Sequence, residues 1–231
     1  MAAFEVNIGK LTQNVQSLGE LAEQFHVEVA AMRDVEERLH SKWQGTAHSA
    51  FHKAFQQDIR QMNGFYHLVL TFARRAAKAV NRYQLAENRA INAIDGSLGI
   101  ADLIEIDAAE WLNLFNVPLI ILPRILEIPG YVAVDPQELM AASSELAACA
   151  AKLNGMLNSM LELVRSVTSF WTGEAVAAFL TKFLGLQDDM QKIVRMVQEH
   201  ADDLSQIAAS YLKAEQENVS DFSGLSADVI V

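Results

Sequence analysis

Hydrophobic side chains recur along this chain in alternating steps of three and four residues, which places them on one face of a helix. One series runs from Ile8 to Leu39 with an interruption at Glu36, and a second runs from Phe51 to Tyr83. A later series, from Phe179 to Tyr211, has the same form as the second. A spacing near 3.5 residues, held over several heptads, is typical of long helices packed side by side. The pattern predicts an all-α fold.

The chain is also an internal repeat, because shifting the sequence until Leu11 falls on Leu139 aligns its two parts without a gap. We call this shift the repeat offset. Identical side chains then match at Leu11 and Leu139, Leu18 and Leu146, Met32 and Met160, Ser41 and Ser169, Trp43 and Trp171, Gly45 and Gly173, Ala47 and Ala175, Phe51 and Phe179, Phe55 and Phe183, Met62 and Met190, Val69 and Val197, Ala73 and Ala201, Tyr83 and Tyr211, and Glu87 and Glu215. The repeat predicts four long helices arranged as two hairpins.

Each hairpin alone would leave a long apolar stripe in water, so the two copies are expected to pack together. Charge favours this pairing. Residues 1–98 carry 11 basic and 10 acidic side chains, whereas residues 135–231 carry 6 basic and 14 acidic ones. One half is nearly neutral and the other is strongly acidic.

A connector, 96–135, separates the copies and holds three of the four prolines. A helix of about 33 residues is roughly 50 Å long. Antiparallel hairpins would therefore need a long link, which this connector supplies, whereas parallel hairpins would need only a short one. We predict two long helical hairpins packed antiparallel as a four-helix bundle, with a partly helical crossover connector along it.

The connector is rich in apolar side chains between 111 and 128, and two interpretations of them stay open. They form a flap over the bundle, or they form an interfacial segment that makes membrane contact. The acidic residues of the connector count against anionic lipid; they are Asp102, Glu105, Asp107, Glu110 and Glu127. The longest uncharged apolar run, 111–123, is shorter than the roughly 20 residues of a spanning helix.

Net charge and the N-terminus narrow the classes of function. The net charge of −11 argues against nucleic acid as a partner, because phosphate binding needs a basic face. The first residues, MAAFEVNIGK, have neither a basic leader nor an apolar h-region, so we expect no Sec or Tat signal. The single cysteine, Cys149, lies at an apolar helical position and is expected to be a small buried hydrophobe.

Few residues suggest chemistry. His48 and His52 are one helical turn apart, with His40 just before the turn, and are weak candidates for metal ligands. A polar turn region explains them as well, and the second copy has Val176 and Leu180 at the matching positions. No phosphate loop and no nucleophile elbow is present, so we expect no cofactor and no enzymatic activity.

Two motifs recur, and the distance between them along the chain is the same in both copies. They are Trp-x-Gly, at Trp43 and Gly45 and at Trp171 and Gly173, and Tyr-x-x-x-Glu, at Tyr83 and Glu87 and at Tyr211 and Glu215. With them the chain resembles the WxG (Esx-like) family of type VII secretion substrates, as two copies fused in tandem. The repeat predicts a first hairpin at 1–95 and a second at 136–215, and the tail at 216–231, which has lost the heptad pattern, is expected to be flexible.

The resemblance also implies how the motifs work. A Trp-x-Gly turn of one hairpin would lie near the Tyr-x-x-x-Glu of the other and form a composite export signal. Trp43 and Gly45 would pair with Tyr211 and Glu215, which is the preferred signal because a tail follows it. Trp171 and Gly173 would pair with Tyr83 and Glu87.

The implied function is a substrate of type VII secretion that is made in the cytoplasm, leaves it without a Sec signal and works by binding other proteins. Its partners would be the secretion ATPase and a co-secreted protein. Two alternatives stay open: a cytoplasmic adaptor bundle for secretion partners, or a membrane-active effector that uses residues 111–128.

Overall fold

The computed structural model describes residues 5–95 and 133–223, without the side chains of 85–95, 218 and 221–223. Within these ranges the chain forms long α-helices joined by short turns. They are α1 (Ile8–His40), α2 (Thr46–Asp95), α3 (Pro136–Ser166), α4 (Glu174–Leu184) and α5 (Gln187–Ser223), with the two-residue strands β1 (Trp43–Gln44) and β2 (Ala133–Val134) and a 3-10 turn, Val167–Ser169.

The first helix of each hairpin begins at a side-chain cap. The Asn7 carboxamide oxygen accepts the backbone N–H of Lys10 at 3.0 Å. At the matching place in the second copy, the Asp135 carboxylate accepts the N–H of Gln137 at 3.0 Å. These caps satisfy N–H groups that the first turn of a helix leaves without partners.

The second helix of the second copy is divided, which the apolar series did not predict. Helix α4 ends at Leu184 and α5 begins at Gln187, whereas α2 continues through the matching positions of the first copy. Gly185 lies at the break, where its N–H still bonds the Thr181 carbonyl at 3.2 Å. Because glycine favours the helical conformation least among residues other than proline, the end of α4 at this position has a local cause.

The helices divide into two compact units, each with a core of its own. Among the described residues, the first unit comprises 5–26, 64–95 and 156–188. In it, the rings of Phe25 and Phe65 pack with centroids 5.4 Å apart, and Phe72 packs edge-on against Phe183 at 5.1 Å. A buried amide ties the two hairpins together here, because Asn14 donates to the Leu163 carbonyl at 2.8 Å.

The described residues of the second unit are 27–63, 133–155 and 189–223. Its core includes the fully buried side chains of Met32 and Phe55. Across the hairpins, the Lys152 ammonium lies 3.0 Å from the carboxylate of buried Glu28, and the Ser143 hydroxyl donates to the Ala201 carbonyl at 2.7 Å.

Each unit contains the turn of one hairpin together with the start of the other. In the second unit the first turn, at β1, pairs with β2 just before α3. In the first unit the second turn, at Trp171, bridges Val6 just before α1. The hairpins are therefore antiparallel, and the predicted all-α fold of two hairpins is confirmed.

Some predictions fall on residues 96–132, which lie outside the described part of the chain. These are the partly helical crossover and the two interpretations of 111–128. In the described part of the tail, α5 continues through 216–223. Among the described residues, no helix is both long and apolar enough to cross a membrane.

Candidate functional site

The second Trp-x-Gly turn is held by backbone hydrogen bonds to the segment before α1. The Asn7 N–H donates to the Phe170 carbonyl at 2.6 Å, and the Thr172 N–H donates to the Glu5 carbonyl at 2.7 Å. The Thr172 hydroxyl also accepts the Glu5 N–H at 2.8 Å. Gly173 lies just before the first residue of α4 and has a φ of 106°, a backbone conformation that glycine adopts readily.

The first turn is held in the same way by the segment before α3. Trp43 and Gln44 of β1 pair antiparallel with Val134 and Ala133 of β2. Beside them, the Asp135 N–H donates to the Lys42 carbonyl at 3.0 Å. Gly45 has a φ of 125° and lies just before α2, as Gly173 lies just before α4.

The two arrangements obey the repeat offset, since Val6 corresponds to Val134 and Asn7 to Asp135. Each turn is therefore clamped by the residues that precede the first helix of the other hairpin. We call this arrangement the reciprocal clamp. It fixes Trp43 and Trp171, both nearly fully buried, at equivalent places.

The structure brings Trp171 and Tyr83 together. The indole N–H of Trp171 donates to the Tyr83 hydroxyl oxygen at 3.2 Å, and the rings meet edge to face with centroids 6.4 Å apart. Trp171 also packs on Phe179 at 5.8 Å. Glu87, the acidic member of this motif, has its side chain outside the described set.

The first turn lacks the equivalent contact. In the part of the chain that the structure describes, the buried Trp43 indole N–H has no hydrogen-bond partner. The Trp43 ring instead meets His48 edge to face at 5.2 Å and Phe51 at 5.7 Å. The second Tyr-x-x-x-Glu has its tyrosine, Tyr211, half-buried on α5 and its carboxylate, Glu215, exposed.

The last turns of α5 carry no buried residue beyond Ala208 in the described set of side chains. Two apolar side chains are exposed there, Leu212 at 39% and Val219 at 58%. Together with Tyr211 and Glu215 they form what we call the α5 end patch.

Beneath the first turn lies a polar cluster that the sequence revealed only in part. The Glu36 carboxylate is 3% exposed as a residue, and its Oε1 atom lies 2.6 Å from His52 Nδ1 and 3.9 Å from His48 Nε2. His40 completes it, with its ring centroid 5.1 Å from that of His48. Among the described residues, no group of three or more histidine, cysteine or carboxylate side chains is placed to hold a metal ion.

Burial and the nearby imidazoles of His40 and His52 lower the pKa of His48 from 6.5 to about 4. Sequence reasoning identified the three histidines but not Glu36. The position of Glu36 could have indicated it, because this residue interrupts the apolar series of α1. A carboxylate on the apolar face of a helix is buried and therefore needs a partner.

Cys149 is buried, as expected from its apolar helical position. Burial, together with a hydrogen bond to Glu28, raises the pKa of its thiol to about 12. Because the thiolate is the reactive form, this side chain is chemically inert in the folded protein.

Fold and turns together define a tandem pair of Trp-x-Gly helical hairpins joined in one chain. The chain belongs to the WXG100 family, described as proteins of 100 residues with WXG, whose model matches twice, at residues 3–88 and 132–216. This family comprises non-enzymatic helical hairpins associated with type VII secretion, which function as secreted partners. Searches of curated proteins and of solved structures gave no significant match.

Proposed function

We propose that the chain is a substrate of type VII secretion, exported as a fused pair of hairpins, that acts by binding other proteins and catalyses no reaction. Membership of the WXG100 family supports export by type VII secretion. The antiparallel pairing of the hairpins within one chain supports export as a fused pair. Each copy already supplies the partner that the other needs, so the protein reaches the secretion machinery as a complete pair.

The observation that carries the proposal is the difference between the two tyrosine motifs. Tyr83 accepts a hydrogen bond from Trp171 inside the first unit. Tyr211 and Glu215 lie on the exposed end of α5, beside exposed Leu212. We therefore assign the export signal to the α5 end patch, whose tyrosine makes no such hydrogen bond to the Trp43 indole.

The chemistry of this patch specifies its receptor. Tyr211, Glu215 and Val219 follow one another at steps of four residues and share one face of α5. An apolar groove with a cation opposite Glu215 would complement this face. A site of that kind on the secretion ATPase is the expected partner, and a co-secreted protein is the expected cargo.

The test is immunoblotting of culture supernatant and lysate from the native host, with a cytoplasmic protein as a lysis marker. Wild type is compared with the double variant Tyr211→Ala, Glu215→Ala and with a strain that lacks the secretion ATPase. The matched control is Lys213→Ala, Glu217→Ala. These two residues form an exposed ion pair, with 3.8 Å between nitrogen and oxygen, on the same turns of α5.

We expect wild type and the control variant in the supernatant, and the signal variant in the lysate with an unchanged circular dichroism spectrum. A variant Tyr83→Ala, Glu87→Ala that blocks export, while the Tyr211 and Glu215 changes do not, would assign the signal to the other composite motif. Wild type that stays in the lysate would instead favour the cytoplasmic adaptor.

A further inference from the structure

The cluster beneath the first turn places three imidazoles around one buried carboxylate. The Glu36 carboxylate is hydrogen-bonded to His52, whose side chain is 32% exposed and reaches solvent. His48 lies deeper, with 6% of its side chain exposed, and its Nε2 atom has no hydrogen-bond partner in the described structure. Its ring is stacked towards His52, with centroids 6.0 Å apart.

Every element packed here contributes charged or titratable groups. Helix α1 supplies Glu36 and His40, and α2 supplies His52. Helix α5 supplies His200, whose ring packs on Phe51 at 5.4 Å and whose Nε2 atom lies 2.9 Å from an Asp58 carboxylate oxygen. The segment before α3 supplies Asp135, which caps α3 and bonds the turn through its backbone N–H.

The only carboxylate hydrogen-bonded or ion-paired to the three imidazoles of the described cluster is Glu36. One carboxylate can balance only one imidazolium charge, so the described cluster has no partner for a second one. A charge on the buried His48 ring would be repelled by a charge on either neighbouring imidazole, since the ring centroids are about 5 to 6 Å apart.

The second copy provides a built-in control. Positions matching Glu36, His40, His48 and His52 under the repeat offset hold Val164, Thr168, Val176 and Leu180. Val164 and Val176 are buried beneath the second turn. The two turns therefore share the reciprocal clamp, but only the first has side chains beneath it that can take up protons.

We propose that the first Trp-x-Gly turn is a proton-operated switch, which opens on mild acidification while the second turn stays closed. The moving parts are β1 and the Trp43 ring. The Trp43 and His48 rings meet edge to face and only 6% of the His48 side chain is exposed, so protonation of His48 creates a desolvated charge beneath the first turn. Water must reach His48 to solvate this charge, and the separation of β1 from β2 admits it. Opening then exposes a large aromatic side chain at the first turn only.

The expected size of the effect follows from proton linkage. The closed turn holds the His48 pKa at about 4, and an open turn restores 6.5. Between pH 7.5 and pH 5.0 the opening constant then rises about 30-fold. Amide exchange that depends on opening rises by the same factor once the intrinsic pH dependence is removed.

The experiment is hydrogen–deuterium exchange of the full chain at pH 7.5 and pH 5.0, analysed by mass spectrometry. Rates are divided by the intrinsic rates for each pH. The matched amides are Ser49, bonded to the Gly45 carbonyl, and Ala177, bonded to the Gly173 carbonyl. Asp135 and Asn7, whose N–H groups close the two halves of the reciprocal clamp, form a second matched pair.

We expect the Ser49 and Asp135 amides to exchange about 30-fold faster at pH 5.0, and Ala177 and Asn7 less than about threefold faster. The variant His48→Val, which installs the residue of the second copy, should bring the first turn close to the behaviour of the second. The control variant His67→Gln, at an exposed histidine of α2, should behave as wild type.

Equal acceleration at both turns, or none at the first, would overturn the switch. So would full acceleration in His48→Val. The comparison of the two turns within the wild-type protein decides the question even if a variant fails to fold. None of these outcomes depends on whether the protein is exported.

Discussion

Replacing Tyr83 with phenylalanine removes the hydroxyl oxygen that accepts the Trp171 indole N–H and leaves the ring that packs against the indole. Trp171 is only 2% exposed, so water cannot easily take the place of the lost acceptor. The substitution therefore removes the acceptor of this hydrogen bond while the ring packing at the second turn stays in place.

The cost can be worked out from the geometry. A buried donor left without an acceptor costs about 1–3 kcal/mol, and the length of this bond, 3.2 Å, favours the lower part of that range. We expect Tyr83→Phe to reduce the free energy of unfolding by about 1–2 kcal/mol. The fold already carries one such unsatisfied indole N–H, at Trp43, so the variant should still fold.

The assay is urea unfolding followed by far-ultraviolet circular dichroism, which does not depend on tryptophan emission. The matched control is Tyr211→Phe, the same change at the equivalent position of the second copy, where the side chain is half-buried. Its effect should stay within about 0.5 kcal/mol. Equal midpoints for Tyr83→Phe and wild type would refute the assigned role of the hydrogen bond.

Three further predictions use other parts of the structure. Gly45→Ala and Gly173→Ala should each lower the free energy of unfolding by about 1–3 kcal/mol, because φ is 125° and 106° at these positions. Gly64→Ala should raise it by about 0.5–1 kcal/mol, since its new methyl group meets nothing within 4 Å. Equal shifts of the urea midpoint in the three variants would contradict this expectation. Cys149 should react with a thiol reagent at pH 8 only at the rate of opening or unfolding, and an immediate colour change would contradict its burial. The pKa of His48 is lower in the folded state than in the unfolded one, so its neutral form stabilises the fold. The free energy of unfolding should therefore be highest above pH 6.5 and should fall by about 3 kcal/mol as the pH drops to about 4. Urea midpoints measured against pH should show this fall, and His48→Val should make the midpoint depend less on pH.

The hairpins could be predicted from the sequence because their signals are long and repeated. Apolar positions such as Phe25 and Phe183 fall in the series and are fully buried. The break between α4 and α5 was missed, because one glycine in a continuing apolar series does not by itself indicate the end of a helix. At the matching positions the first copy has Gln57 and Asp58, and α2 continues through them.

The turns were predicted less completely, for a different reason. Such short strands show no periodicity, so the reciprocal clamp had no pattern of its own. It was detectable only by extending the repeat offset back to Val6 and Val134. The expected neighbours Trp171 and Tyr83 do meet, but no hydrogen bond or ring contact joins Trp43 and Tyr211 in the described structure. His48 and Phe51 pack against Trp43 instead.

The reciprocal clamp has a consequence for the order of folding during synthesis. Glu5 finds its hydrogen-bond partner in Thr172, far later in the chain. Trp43 pairs with Val134, which is also translated much later. Contacts of such long range form late and slow the approach to the native state. The first turn therefore leaves the ribosome before its partner Val134 is made, whereas the second turn emerges when Glu5 and Asn7 are already available to clamp it.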